Sequence, residues 1–238
     1  MVTERRQGQK GISSQAMEPL AASLLPEGSK VHSITQVQSL WAGFGYVYSV
    51  IADIPCSRLQ TANGREGEGA RLILKYVGAP VADATAEMNE GDLRKIYSYE
   101  VEQYFYSVLV PYMLQHTGAD IAVADCVGNT RPQRIAALQK QAGQSLTQVP
   151  IALMLSDLRP RFPRSPSKRG LLDEAQAYAA IRWLARFHSF WMHKGNDAIK
   201  EMLRNDSLCR PPLSEARRRR ASPEVTWRAS VWLNGGYT

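Results

Sequence analysis

The sequence predicts an α+β fold in which a mostly antiparallel sheet with one long helix is followed by further helices. Three observations predict it. Strand-like segments come first and in succession. A single long helix then separates them from two more short apolar segments. Helical periodicity dominates only after a proline-rich break. The 238 residues are 44% hydrophobic, enough for a buried core.

The elements follow in order. Residues 1–28 are rich in Gln, Ser, Gly and charge and are expected to be a flexible tail, with a short helix near 17–25. Residues 31–40 alternate loosely, and 46–52 are dominated by aromatic and β-branched side chains, so both are expected as strands. The glycines of 63–69 mark a turn and 71–77 a third strand. Residues 83–110 are expected to be helical, with Tyr99, Tyr106 and Val110 near helical spacing. Pro111 should end or kink that helix. Residues 121–127 and 150–155 are short apolar strands, joined by a long loop with room for one short helix. Prolines 160, 163 and 166 exclude regular helix there. Asp173 then caps a helix whose apolar face carries Ala180, Leu184, Phe187, His188 and Trp191. The organisation expected is a tail at 1–28, a first lobe at 29–158, and a linker with part of a helical second lobe at 159–238.

Composition narrows the function. No apolar run approaches the roughly 20 residues a membrane helix needs, and 20–25 is too short for a signal-peptide core. Cys56, Cys126 and Cys209 are far apart and odd in number, which points to free thiols in a reducing, cytoplasmic setting. The net charge is +7. Residues 131–170 hold eight Lys or Arg against the single acid Asp157, and 217–220 is a run of arginines. Such clusters suit phosphate, nucleic acid or an acidic partner, but a solvated loop is the simpler reading. Without RNA-binding aromatics or zinc-ligand spacing, nucleic acid is the weaker rival. Ser222, just after the arginines, is expected to be exposed and open to a basophilic kinase.

Five short motifs carry chemistry. Gly43-Phe44-Gly45-Tyr46 lies between two strands, and glycines there let backbone N–H groups approach phosphate. An ordinary tight turn explains the same residues. No Walker lysine and no third Rossmann glycine accompany them. Lys75 lies inside an apolar strand, where a charge needs a partner or a route to water. Glu102 shares a helix face with Tyr99 and Tyr106 and is the expected partner of Lys75, whereas Glu100 is expected in solvent. The strand ending Leu155-Ser156-Asp157 leads into the proline-rich linker, as any strand end would. His188 is expected to be a core histidine. No metal-ligand spacing and no serine nucleophile elbow occur.

In series, these motifs resemble the ecdysteroid-kinase-like and CHK-kinase-like proteins of the choline kinase and aminoglycoside phosphotransferase superfamily. The likeness rests on Gly43-Phe44-Gly45-Tyr46, Lys75, Tyr99 with Glu102 and Tyr106, Pro111, Leu155-Ser156-Asp157-Leu158, and Leu184-Ala185-Arg186-Phe187-His188-Ser189. It spans about 31–195. It implies a protein-kinase-like N-terminal lobe, the first helices of an incomplete C-terminal lobe, and ATP-dependent phosphorylation of a small-molecule alcohol. It also implies ATP and magnesium as ligands, with Gly43, Gly45, Tyr46, Lys75, Glu102, Leu155, Ser156 and Asp157 around the nucleotide. Where the family has Glu, this chain has Ser156. The family's His-Gly-Asp and Asp-Phe-Gln motifs, which supply the base and the metal ligand, do not occur in the sequence. The expected form is therefore truncated and catalytically incomplete, with no catalytic or metal residues. The alternative is a non-catalytic nucleotide- or partner-binding module.

Overall fold

The computed structural model describes residues 13–40, 43–55, 69–78, 90–117, 121–140, 149–162 and 172–193. The chain divides into two compact units, Met1–Glu87 with Ala124–Pro163 and Met88–Val123 with Arg164–Thr238. Each is built on its own core.

The first unit is a sheet with a helix on one face. Helix α1 is Ser14–Ser23. Strands β1 (Lys30–Ser39), β2 (Gly45–Asp53) and β3 (Ala70–Val77) follow. Later chain adds β4 (Cys126–Asn129), α4 (Arg131–Lys140) and β5 (Ile151–Ser156). The strand order is β1-β2-β3-β5-β4 and every pairing is antiparallel. Strand β3 is therefore central. The α+β expectation and the antiparallel sheet agree with this arrangement.

Side-chain alternation sorts the two faces of the sheet. Tyr46, Tyr48, Val50, Ala52, Leu72, Leu74 and Met154 form one core with Met17, Ala21, Leu24 and Leu25. Residues 13–28, expected to belong to a flexible tail, thus supply a packed helix. It is the short helix expected near 17–25, and its apolar residues recur at 17, 21, 24 and 25, one face of a helix. Ser13 Oγ accepts the Ala16 N–H at 3.3 Å and caps the first turn. Burial lifts the Tyr48 and Tyr76 phenols above their ordinary range.

The 121–127 segment departs from expectation. The strand is Cys126–Asn129, while Ile121 and Val123 enter the core of the second unit. An apolar run buried against helices looks the same in sequence as a buried strand. The loop after it contains the ten-residue α4. Asn129 Oδ1 accepts the Arg131 N–H at 3.0 Å at its start. Thr130 bridges to β5, donating to the Pro150 carbonyl at 2.7 Å and accepting from Ala152 N–H at 2.9 Å.

The second unit joins two helical segments. Helix α2 is Glu90–Tyr104, a π turn covers Phe105–Leu109, and α3 is Val110–Thr117. Pro111 neither ends the helix nor breaks its course. The π turn absorbs it: Val110 N–H reaches back to the Phe105 carbonyl, and the wider turn relieves the clash a proline ring makes in α register. Both helices fall in the unit that begins at Met88.

Helix α5 is Glu174–His193. Its start is a reciprocal cap, as Asp173 predicted: Asp173 Oδ1 accepts the Gln176 N–H at 2.8 Å, and Gln176 Oε1 accepts the Asp173 N–H at 3.1 Å. Val110, Met113, Phe190 and Trp191 are buried in this core. Trp183 stacks on Phe187 and donates from Nε1 to the Ala122 carbonyl at 2.7 Å. The packed face is therefore Trp183, Phe187, Phe190 and Trp191. Leu184 is 45% exposed and His188 is exposed, so the core-histidine expectation fails. Tyr178, Ile181 and Met192 are exposed beside them. No helix among the described residues is long and apolar enough to cross a membrane.

Candidate functional site

The glycine hairpin is built by two different demands. Gly43 has φ 72°, the left-handed region that glycine enters without strain. Its N–H donates to the Leu40 carbonyl at 3.2 Å, closing the turn. Gly45 is required by proximity: a Cβ there would stand 1.9 Å from the Tyr76 carbonyl oxygen. The tight-turn reading therefore accounts for both glycines. Open space lies beside Gly43, where a Cβ would meet no atom within 4 Å.

Lys75 is half-buried in the central strand, two residues before its end at Val77, and paired across the sheet with Val47 and Leu153. An edge strand does not explain it, since β3 is flanked by β2 and β5. By alternation it shares a face with Gly45, Val77, Leu153 and Leu155, of which Val77, Leu153 and Leu155 are buried. Gly45 pairs with Val77, two residues along β3 from Lys75. That puts the two Cα atoms roughly 8 Å apart from strand geometry. Tyr46, grouped by sequence with this site, lies on the opposite face in the α1 core. The one-residue alternation of a strand makes it impossible for Gly45 and Tyr46 to serve one face.

Leu155 shares the Lys75 face, and Ser156 turns to the other. Ser156 Oγ accepts the Asp125 N–H at 2.9 Å, and Ser156 N–H donates to the Asp125 carbonyl at 2.9 Å. The serine thereby ties the end of β5 to the residue before β4.

Asp157 is 4% exposed. Its N–H donates to the Arg71 carbonyl at 3.1 Å. Its carboxylate accepts the Arg159 N–H at 2.9 Å, Arg159 Nε at 2.9 and 3.0 Å, and Arg159 Nη2 at 2.6 Å. Burial pushes this carboxyl up, but the Arg159 hydrogen bonds and the charges of Arg159 and Arg71 outweigh it and hold it below its ordinary range. The same carboxylate raises the Arg159 guanidinium.

Glu102 lies in the second unit, between two phenols as its spacing predicted. Burial raises Tyr99 and Tyr106, and the Glu102 charge adds to both. Yet Glu102 is only half-buried, whereas Glu100, expected in solvent, is 7% exposed. The buried stripe runs Ile96, Glu100, Gln103, Tyr104 and Val110. A search for aromatic spacing alone passes over Glu100. The 96–100–103 spacing carries the signal for it.

Cys126 is a free thiol, raised by burial against weak hydrogen bonds from Asn129 and to Gly128. Among the described residues no group of three or more His, Cys, Asp or Glu could hold a metal ion. Cys56, Cys209, the 217–220 arginines and Ser222 lie outside the described residues. No protein-family model, no curated protein and no solved structure matches this chain.

Proposed function

We propose that this chain is the nucleotide-binding part of a kinase-like phosphotransferase for small-molecule alcohols, in a catalytically incomplete form. One observation carries the reading: a lysine on the third strand, central in the sheet, on the same face as the second glycine of the preceding hairpin. Kinases place a glycine-rich loop over the nucleotide phosphates and a lysine of the third strand against them. Glycine-turn amides and an ammonium roughly 8 Å away suit one phosphate chain. The long helix after β3 and the strand leading to Asp157 keep the kinase order, so 29–158 is the proposed N-terminal lobe and 159–238 the start of a helical C-terminal one. The proposed setting is cytoplasmic, from cysteine usage alone.

The described residues do not fit magnesium. Arg159 occupies both oxygens of Asp157, and among the described residues no group of three or more His, Cys, Asp or Glu could hold a metal ion. The His-Gly-Asp and Asp-Phe-Gln aspartates, which in that family orient the acceptor hydroxyl and hold the metal, do not occur in this sequence. Binding energy accelerates a reaction only where it favours the transition state. Nucleotide binding without turnover is therefore the expected behaviour. A non-catalytic binding module is the second reading, favoured by those same missing aspartates.

Calorimetry with ATP, with and without magnesium, tests this. The expected result is weak, magnesium-insensitive binding that Lys75→Met reduces about tenfold or more, the scale of one charge-assisted hydrogen bond. Turnover against pooled small alcohols should be absent. Binding unaffected by Lys75→Met would remove the nucleotide assignment. Robust magnesium-dependent transfer would overturn the catalytic part.

A further inference from the structure

Helix α5 is apolar on both sides. One side packs: Trp183, Phe187, Phe190 and Trp191 enter the core of the second unit. The other does not. Tyr178 and Ile181 are each 61% exposed and Met192 is 64% exposed, and Ala185 and His188 between them are exposed as well. A helix that is hydrophobic nearly all round belongs in an interior, and large apolar side chains gathered on one exposed surface mark a place where another molecule sits. Positions 178, 181, 185, 188 and 192 advance by alternate steps of three and four. That is the spacing of the seam along which two helices pack. A second helix is therefore the shape that fits this face.

Charge selects among helices. Beyond Glu174 in its first turn, α5 carries no acid. Arg182 is exposed and follows Ile181 directly, on the flank of the seam where charges set the choice of partner. Arg186 is exposed one turn further on. A second copy of this chain fits poorly. Antiparallel, two α5 helices would set their Arg182 flanks against each other; parallel, each Arg182 would meet the Leu184 flank of its neighbour. Neither arrangement brings the guanidinium an opposite charge. We propose that this face of α5 docks an amphipathic helix of another protein, with an apolar ridge against Tyr178, Ile181 and Met192 and an acidic flank against Arg182. None of these residues belongs to the nucleotide site proposed above, so the two readings stand or fall separately.

Fluorescence anisotropy of labelled helical peptides tests this on the full chain. Both peptides carry leucine at the seam spacing; one has glutamate on its flanks and the other lysine. The glutamate peptide should bind saturably, and the lysine peptide far more weakly. Ile181→Asp should weaken the glutamate peptide about tenfold or more, the worth of one buried isoleucine. Arg182→Glu should weaken it about fivefold, as one flank attraction turns into a like repulsion, and should strengthen the lysine peptide. Both side chains are exposed, so the variants should keep the circular dichroism spectrum of the parent; if Ile181→Asp does not, Arg182→Glu decides alone. Equal binding of the two peptides, binding of neither, or an unchanged preference in Arg182→Glu would overturn the proposal. So would a concentration-dependent dimer in sedimentation that Ile181→Asp dissolves, since a second copy would then hold the face.

Discussion

Replacing Gly45 by alanine should cost far more than replacing Gly43, although one hairpin holds both. A Cβ on Gly45 stands 1.9 Å from the Tyr76 carbonyl oxygen and 2.8 Å from Val77 Cα. Non-bonded heavy atoms meet at about 3.5 Å, so the ends of β2 and β3 would have to part by roughly 1.5 Å. The obstructing atoms are backbone, and the Gly78 N–H bond to the Phe44 carbonyl holds the strands together just there. Overpacking typically costs about 1–3 kcal/mol, and the upper end applies because no side chain can rotate away. For Gly43→Ala the space is open and only the φ of 72° matters, at about 1 kcal/mol. Urea denaturation followed by circular dichroism should separate the two variants by about 2 kcal/mol, or roughly 1 M in midpoint at a typical slope. Equal losses, or a larger loss for Gly43→Ala, would refute the reasoning and show that β3 yields freely at its end.

Three further outcomes are expected. Ser156→Ala should cost about 1–2 kcal/mol, because it strips the Asp125 N–H of its acceptor; a neutral result in the same denaturation assay would mean that water replaces the hydroxyl. Asp157→Asn should lower stability at neutral pH by about 2 kcal/mol, the scale of charge-assisted hydrogen bonds. Because the folded carboxyl is held below its ordinary 3.8, its contribution is fully present above that pH and fades as pH falls through the folded value. The gap between native and variant stability should thus stay constant from pH 7 to about 4 and close below it; a gap that closes near pH 6 would rule out this assignment. Glu100→Gln should destabilise the second unit more than Glu102→Gln, since Glu100 is 7% exposed and Glu102 half-buried. Thermal unfolding of the two variants decides, and the reverse order would return the structural weight to Glu102.

Much of the molecule was legible from local signals. The three opening strands, the central apolar strand bearing Lys75, the strand before Ser156 and the Asp173 cap each announce themselves within a few residues. Misreadings arose where one pattern serves two environments. Residues 121–123 are apolar because a helical core receives them, and the sequence cannot distinguish that from a sheet. The Gln- and Ser-rich start suggested a flexible tail around its short helix, yet Met17, Ala21, Leu24 and Leu25 pack that segment into the sheet core. Pro111 carries a strong local rule against helix, yet a π turn of five residues, Phe105–Leu109, accommodates it.

A lysine amid apolar residues in β3, glycines on both sides of Phe44 and Asp157 at the end of an apolar strand are all legible residue by residue. These follow from side-chain chemistry and short-range spacing. Which residues share a face emerges with the fold. It put Lys75 with Gly45 and turned Tyr46 away, buried Glu100 rather than Glu102, and exposed His188. It also showed that Arg159 closes on Asp157. Pairing register and packing are long-range choices, and a single-residue step in a strand or helix reverses the side on which a side chain emerges.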